Sequence, residues 1–406
     1  MLNKQKIAVI IPDGMSDLKI PELRGKTPME AAVKPYMDNL AQNGICGMVK
    51  NVPDGMVPDS DPANLAILGY DPKLYSKGRS PLEAAGLGLI MKNSDTAFRC
   101  NLVTLSEDEN EYKEKTVLDY CAGEISTEEA DILIKAVNNE LGTEKIRFHT
   151  GISYRHCLLW ENCPEYNFKF TGPHNIVKKK INEYLPYGEY FELMKKSYDI
   201  LNLHALNIKR KKSNKNPANS IWLWSAGVKP DLPDFKAKYG LCGSVIAAVA
   251  LIKGIGICAG MKVPDIEGAT GNFYTNYKNK AAAAISEFEN GSDFVFIHIE
   301  APDECGHQGE IENKVKSIEN IDSMIIKPIY EYMDSKFEKY KILVLADHPT
   351  PLSLRTHSSD PVQFLLYKKD CDKKSGVFCF CEESVANKSK IYIEEGYKLM
   401  DFVLDR

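Results

Sequence analysis

The chain has 406 residues, 44% of them hydrophobic and 26% charged, a formal net charge of −5 and a mean hydropathy of −0.30. This is the composition of a globular protein long enough for two domains and a large buried core, and its small, evenly spread charge excludes the basic footprint of a nucleic-acid binder. No stretch approaches the roughly 18–20 apolar residues of a membrane span, since the best candidate, 244–261, is broken by Lys253 and three glycines.

The opening "KIAVIIPDG" (6–14) holds an apolar run too short for a signal peptide, which reads as a first strand ending at Asp13-Gly14. The stretch "NVPDGMVPDSDPANLAILGYDP" (51–72) sets Ser60 between two aspartates and two prolines, just ahead of the apolar run Leu65–Leu68. Ser60 there is either a helix N-cap or a nucleophile. Further on, "ISTEEADILIKAVNNELG" (125–142) reads as a helix opened by a Ser126–Glu129 capping box. Two strand-like pieces around Gly151 follow it in "KIRFHTGISYRHCLLWEN". The lysine-rich run 209–216 reads as an exposed hairpin or linker, because it is short and has no interleaved aromatics. The glycines of "KGIGICAG" (253–260) suit helix packing better than a dinucleotide loop.

Helical periodicity returns in 279–291 and in 313–340, where Ile318, Ile321, Ile325 and Ile329 keep helical spacing and Pro328 is expected to kink the helix. Three more strand-like runs appear at 293–304, 341–348 and 362–369. They are too continuously apolar to be half-exposed, so they suit a parallel sheet covered by helices on both faces. The resulting plan is a discontinuous α/β domain, 1–110 with 226–406, interrupted by a smaller α+β domain at 111–225. The eleven cysteines have irregular spacing, and the closest pair, Cys379 and Cys381, is not a CxxC. They read as reduced thiols of a cytoplasmic protein and not as a zinc ribbon.

Three of the apolar runs lead to an aspartate: Asp13, Asp303 and Asp347. Functional groups gather at the carboxyl ends of strands in an open parallel sheet, and aspartate is a poor strand former. Asp303 and His307 stand four apart, a spacing that puts both on one helical face. Asp347 is followed by His348, with His357 ten residues beyond Asp347, so three of the chain's eight histidines fall in this pattern. Each residue alone has a plainer explanation: a turn at Asp13-Gly14, a helix cap at Asp303, a surface His357. Together they supply enough carboxylate and imidazole ligands for two divalent ions of the zinc or manganese kind, not calcium. Such a pair can deprotonate a serine hydroxyl, which favours the nucleophile reading of Ser60.

The blocks "PDG" (12–14), "DSDPANLAILGYDP" (59–72), "APDECGHQGE" (301–310) and "DHPTPLSLRTHSSDPV" (347–362) resemble the alkaline phosphatase superfamily. More closely, with "AFRCNLVTL", "SYRHCLLW", "GPHNIV", "NPANSIWLW" and "EGATGNFYTNYKNKA" in the same order, the chain resembles the archaeal-type cofactor-independent phosphoglycerate mutases. The resemblance implies an alkaline-phosphatase-like sheet with an inserted lid domain that excludes water. It implies one metal held by Asp13, Ser60, Asp347 and His348 and another by Asp303, His307 and His357. Manganese is the expected ion, with zinc, magnesium or cobalt as alternatives, and 2,3-bisphosphoglycerate is not required. Ser60 would carry the phosphoryl group between the two hydroxyls of a small phosphorylated substrate. Candidate substrate residues are Arg99, Arg155, Arg210 and Lys280, with His156 and His174 as polar or proton-transfer partners. Two departures stand out. Pro62 replaces an expected small polar residue, and Asp-His-Pro at 347–349 is also similar to a bacterial subgroup proposed to be homoserine kinases.

Overall fold

The computed structural model describes residues 5–369 and 374–406. It divides into two compact units, Met1–Ser76 with Asp231–Arg406, and Lys77–Pro230. In chain order the strands are β1 (Lys6–Pro12), β2 (Ile45–Val49), β3 (Asp95–Leu105), β4 (Val117–Asp119), β5 (Ile146–Ile152), β6 (Arg155–Glu161), β7 (Ser220–Val228), β8 (Gly243–Ile246), β9 (Phe294–Ile299), β10 (Tyr340–Leu345), β11 (Val362–Lys368) and β12 (Tyr392–Ile393).

The first unit is an α/β layer built on a sheet of order β12-β2-β11-β10-β1-β9-β8. β1, β9 and β10 lie side by side and parallel, with Ile7 opposite Lys341 on one side and Phe294 on the other. Every residue of β9 and β10 is buried, so both faces are covered, which is why these strands read as unbroken apolar runs. β11 departs from the expected parallel arrangement, pairing antiparallel with β10 and with β2. A strand buried on both faces has the same composition in either direction, so its sequence does not report its polarity.

The expected kink at Pro328 takes another form. Ile311–Ile321 and Lys327–Lys336 are joined by a π-helical turn, Asp322–Ile326, directly ahead of the proline. The wider turn absorbs the missing N–H and the bulk of the ring, and Ile318, Ile321, Ile325 and Ile329 all stay buried. Gly256 is a packing glycine in the helix Ala250–Cys258, since a Cβ there would stand 2.7 Å from Val245 Cγ2.

The second unit is an antiparallel sheet of order β4-β3-β6-β5, with β7 on the other side of β3. The helices Thr127–Leu141 and Glu189–Asn202 pack on it. This unit begins at Lys77, upstream of the expected 111, because β3 pairs along its length with β6 and β7. Ser126 Oγ accepts from Glu129 N at 3.3 Å, the N-cap bond its sequence implies. The run 209–216 is not a linker: its first half is the end of the helix Ala205–Lys212. No helix among the described residues is long and apolar enough to cross a membrane.

Candidate active site

Parallel β10, β1 and β9 end at one edge of the sheet, and the chain turns there into Asp347-His348, Asp13-Gly14 and the helix Ala301–Gln308. Asp303 lies inside that helix without capping it, one turn before His307. His307 Nε2 stands 3.3 Å and His357 Nε2 3.4 Å from the two oxygens of Asp303. The two imidazoles place their Nε2 atoms 2.9 Å apart. Each Nδ1 is held by a backbone carbonyl, Arg355 O at 3.0 Å for His307 and Pro58 O at 3.1 Å for His357. These anchors aim both Nε2 atoms at Asp303, an arrangement that metal-binding histidines share.

Asp347 Oδ1 accepts from Gly14 N at 3.2 Å and from His348 N at 2.9 Å, while its Oδ2 accepts from Asn64 Nδ2 at 2.8 Å. Asn64 also donates to Ser60 O at 2.9 Å, tying the serine's helix to the end of β10. That helix runs Ser60–Ile67 and its N-cap is Asp59, whose carboxylate accepts from Ser60 N at 2.8 Å. The capping role therefore falls to Asp59, and the Ser60 hydroxyl is left for other work. Its Oγ lies 3.2 Å from His348 Nε2. Ser60 is buried, 8% exposed.

Three ligand-like groups have their donor atoms within 4.8 Å of one another: Asp13–Asp347–His348, Asp303–His348–His357 and Asp13–Glu300–Asp303. Asp13 Oδ1 is buried without a hydrogen-bond partner among the described residues. A buried carboxylate oxygen left unpaired is costly, and a divalent cation bridging these groups would satisfy it, so the residues fit the metal pair. The titrations point the same way. Burial, then the charges of Asp347 and Asp303, hold the Asp13 carboxyl well above the usual carboxylate range. Burial also acts on Asp303, but bonds from His307 and His357 outweigh it and hold that group well below the range. The Asp303 hydrogen bond in turn pushes His307 up to about 9. The carboxylates thus call for positive charge at this point, which protonated imidazole supplies and which a bound cation would supply instead with the imidazoles neutral.

Several residues of this site have no sequence signal of their own. His298, buried in β9, stands 3.2 Å from Asp13 Oδ2, and burial presses it down to about 4. Thr350 Oγ1 donates to Asp303, and its carbonyl accepts from buried Lys314, which also pairs with Asp17 at 2.7 Å. Glu300 closes the third group of ligands. Lys280, expected at the substrate, is fully buried and donates to His298 O at 3.0 Å; burial lowers it to about 8.

Gly14 is where backbone conformation matters most. Its φ is +61°, and a Cβ there would stand 2.8 Å from Asp303 Cα and 2.5 Å from Thr350 Oγ1. Gly14→Ala is expected to lower the melting temperature, with a cost on the order of 1–3 kcal/mol, and to reduce the amount of bound metal measured by elemental analysis.

In the second unit the expected substrate residues separate. Arg99 donates its Nε to Glu83 Oε2 at 2.7 Å and also reaches Glu83 Oε1, which accepts from Arg79 Nε at 2.8 Å. The Arg99 guanidinium lies 4.6 Å over Trp224, and His174 packs edge-on to the same indole at 5.2 Å. Arg155 lies 5.0 Å over the ring of Tyr154, which packs against Tyr120, and Tyr120 packs against His174. Arg99, Arg155 and His174 thus belong to one aromatic-lined cluster. Arg210 does not: it is buried, paired with Glu129, and donates to Asn216 O at 2.9 Å and Ala122 O at 2.7 Å. His156 is buried beside the β5–β6 turn, where Nδ1 accepts from Gly151 N at 3.1 Å, and burial presses it down to about 3.

Glu83 supplies a pH test of this cluster. Burial raises its carboxyl, but Arg99 and then Arg79 outweigh burial and bring it from 4.5 to about 2. A carboxylate depressed on folding stabilises the protein above its unfolded pKa, and the contribution fades as pH falls from about 4.5 toward about 2. Glu83→Gln is expected to flatten the acid limb of a denaturant-midpoint profile over that window, by on the order of 2 kcal/mol.

The family model described as 2,3-bisphosphoglycerate-independent phosphoglycerate mutase matches residues 41–207. A Methanosarcina acetivorans protein of that name is 47% identical over 388 residues, spanning 95% of this chain and 96% of the relative. A Geobacter sulfurreducens protein named as a probable enzyme of the same kind is 44% identical over 405 residues, 99% and 100% of the two chains. A solved structure of a Pyrococcus horikoshii protein matches with a TM-score of 0.83 at 30% identity, covering 100% of this chain and 97% of that one. Identity at this level along nearly the whole of both chains places the chain in the family of 2,3-bisphosphoglycerate-independent phosphoglycerate mutases.

Proposed function

We propose that the protein interconverts 3-phosphoglycerate and 2-phosphoglycerate through phosphorylated Ser60, with two divalent cations held by Asp13, Asp347 and His348 and by Asp303, His307 and His357. The observation that carries this reading is the position of Ser60 Oγ, 3.2 Å from His348 at the start of a helix and beside the ligand-like groups. Bound there, the cations would lower the pKa of the serine hydroxyl and offset the charge of the phosphoryl oxygens. The chain's own part is positional. Asp59 and Asn64 fix the backbone of Ser60, and the positive end of the helix dipole favours the anion that forms on Oγ. Oγ loses its proton and attacks phosphorus as the bond from phosphorus to the C3 oxygen breaks and that oxygen takes up a proton. The C2 hydroxyl then loses its proton and attacks the phosphoserine, and Oγ leaves and is reprotonated.

A mixed carboxylate and imidazole ligand set suits manganese, with zinc, magnesium and cobalt as competitors. The Arg99, Arg155 and His174 cluster is assigned an anionic group of the substrate, which guanidinium groups bind with defined geometry. The lid role expected of the second unit, a requirement for no 2,3-bisphosphoglycerate, and a cytoplasmic location of the reduced thiols belong to the same proposal.

The test is an assay of the Mn2+-loaded protein with 3-phosphoglycerate, in which enolase reports 2-phosphoglycerate. Turnover without added 2,3-bisphosphoglycerate supports the reading. Absence of turnover, with phosphohomoserine formed from ATP and homoserine instead, overturns it. Chelation is expected to abolish turnover and lower the melting temperature, since a ligand that binds only the folded state stabilises it by mass action. Readdition of Mn2+ should restore both.

A further inference from the structure

Cys379 and Cys381 take no part in the chemistry above, yet the fold builds a charged setting around them. Lys34 is 2% exposed. Its Nζ donates to Asp38 Oδ1 at 2.9 Å and to Cys379 Sγ at 3.3 Å. The same Asp38 oxygen accepts from Phe380 N at 2.8 Å, which fixes the backbone between the two cysteines. Cys381 is buried and stands two residues along the chain from Cys379, which is half-buried and within reach of a small reagent.

A buried ammonium thus donates directly to the Cys379 sulfur, and the second thiol follows on the same short segment. The Cys381 thiol, with the Lys34 charge, overcomes burial and Asp38 and brings the Cys379 thiol down to about 6, while Cys381 is pushed up. A thiolate is the reactive form of cysteine, and the positive charge of a neighbouring lysine stabilises it. A reachable thiolate beside a second, protonated thiol is the arrangement that a reversible oxidation requires.

We propose that Cys379 and Cys381 form a peroxide-sensitive dithiol site in which Cys379 reacts first and Cys381 closes a disulfide. The Cys379 sulfur attacks the terminal oxygen of a hydroperoxide, the O–O bond breaks, and hydroxide or alkoxide leaves, so that Cys379 becomes a sulfenic acid. The Cys381 sulfur then attacks the Cys379 sulfur. The S–O bond breaks, the Cys381 proton leaves with that oxygen as water, and the two sulfurs are joined. Two electrons pass from the thiols to the peroxide, and a dithiol reductant reverses the change.

The test uses the full chain with its metal ions at neutral pH and does not depend on the mutase assay. Before oxidation, Cys379 is expected to alkylate at least about tenfold faster than half-buried Cys242. Hydrogen peroxide should give a peptide linking Cys379 to Cys381, lighter by two hydrogen atoms and restored by dithiothreitol. Cys381→Ser should leave Cys379 as a sulfenic acid that dimedone captures, and Lys34→Met should slow alkylation of Cys379 by about tenfold. If Lys34→Met does not fold, the comparison of thiols within the unaltered protein decides alone. Alkylation no faster than that of Cys242, or peroxide treatment that leaves both thiols free, overturns the proposal.

Discussion

Ser60→Ala is expected to lower mutase turnover by about ten-thousand-fold or more, the scale seen when an enzyme loses a covalent nucleophile. The substitution should leave the fold intact. Asp59, not Ser60, caps the helix Ser60–Ile67, and the bond from Asn64 goes to the backbone carbonyl of residue 60. Unchanged circular dichroism and a melting temperature within a few degrees of the parent would separate loss of chemistry from loss of structure. A variant that keeps substantial turnover would mean that another group accepts the phosphoryl.

Asp303→Asn is expected to have the next largest effect, a loss of about a hundredfold or more in turnover with loss of bound metal. Asp303 belongs to two of the three ligand-like groups and accepts from Thr350, with His307 and His357 against its two oxygens. An amide keeps the shape but presents one oxygen and no charge, so both imidazoles lose the partner that holds them protonated or metal-facing. Elemental analysis of the purified variant gives the metal content directly. Excess Mn2+ should recover part of the turnover if weakened binding is the main defect, which it cannot do for Ser60→Ala.

The acidic backbone of this site was legible because burial leaves a strong mark. Asp13 and Asp347 follow runs so apolar that a charge stands out, and Asp303 with His307 has the spacing of one helical turn. His298 and Glu300 were not legible, since inside "FVFIHIE" they look like a strand and its end. Nothing local tells that β9 places them beside Asp13. Asn64 and Thr350 gain their roles only through contacts made across the fold, to Asp347 and to Asp303. Glu83 is a similar case, for its meaning comes from Arg99 on a neighbouring element.

Charge patterns were less reliable than burial patterns. The run 209–216 looked solvated throughout, yet helical periodicity turns one member, Arg210, inward onto Glu129. The division of the chain was displaced for a related reason: β3 mixes Asp95, Arg99 and Asn101 with its apolar residues, and only its pairing with β6 and β7 reveals which unit it joins.

The central claim, that Ser60 carries the phosphoryl group, is tested most directly by acid-quenching the Mn2+-loaded protein during turnover of 3-phosphoglycerate and sequencing the peptides by mass spectrometry. Phosphate is expected on Ser60 in the peptide spanning 51–72, at a level that decays when substrate is removed. Turnover with no phosphate on Ser60 would contradict it.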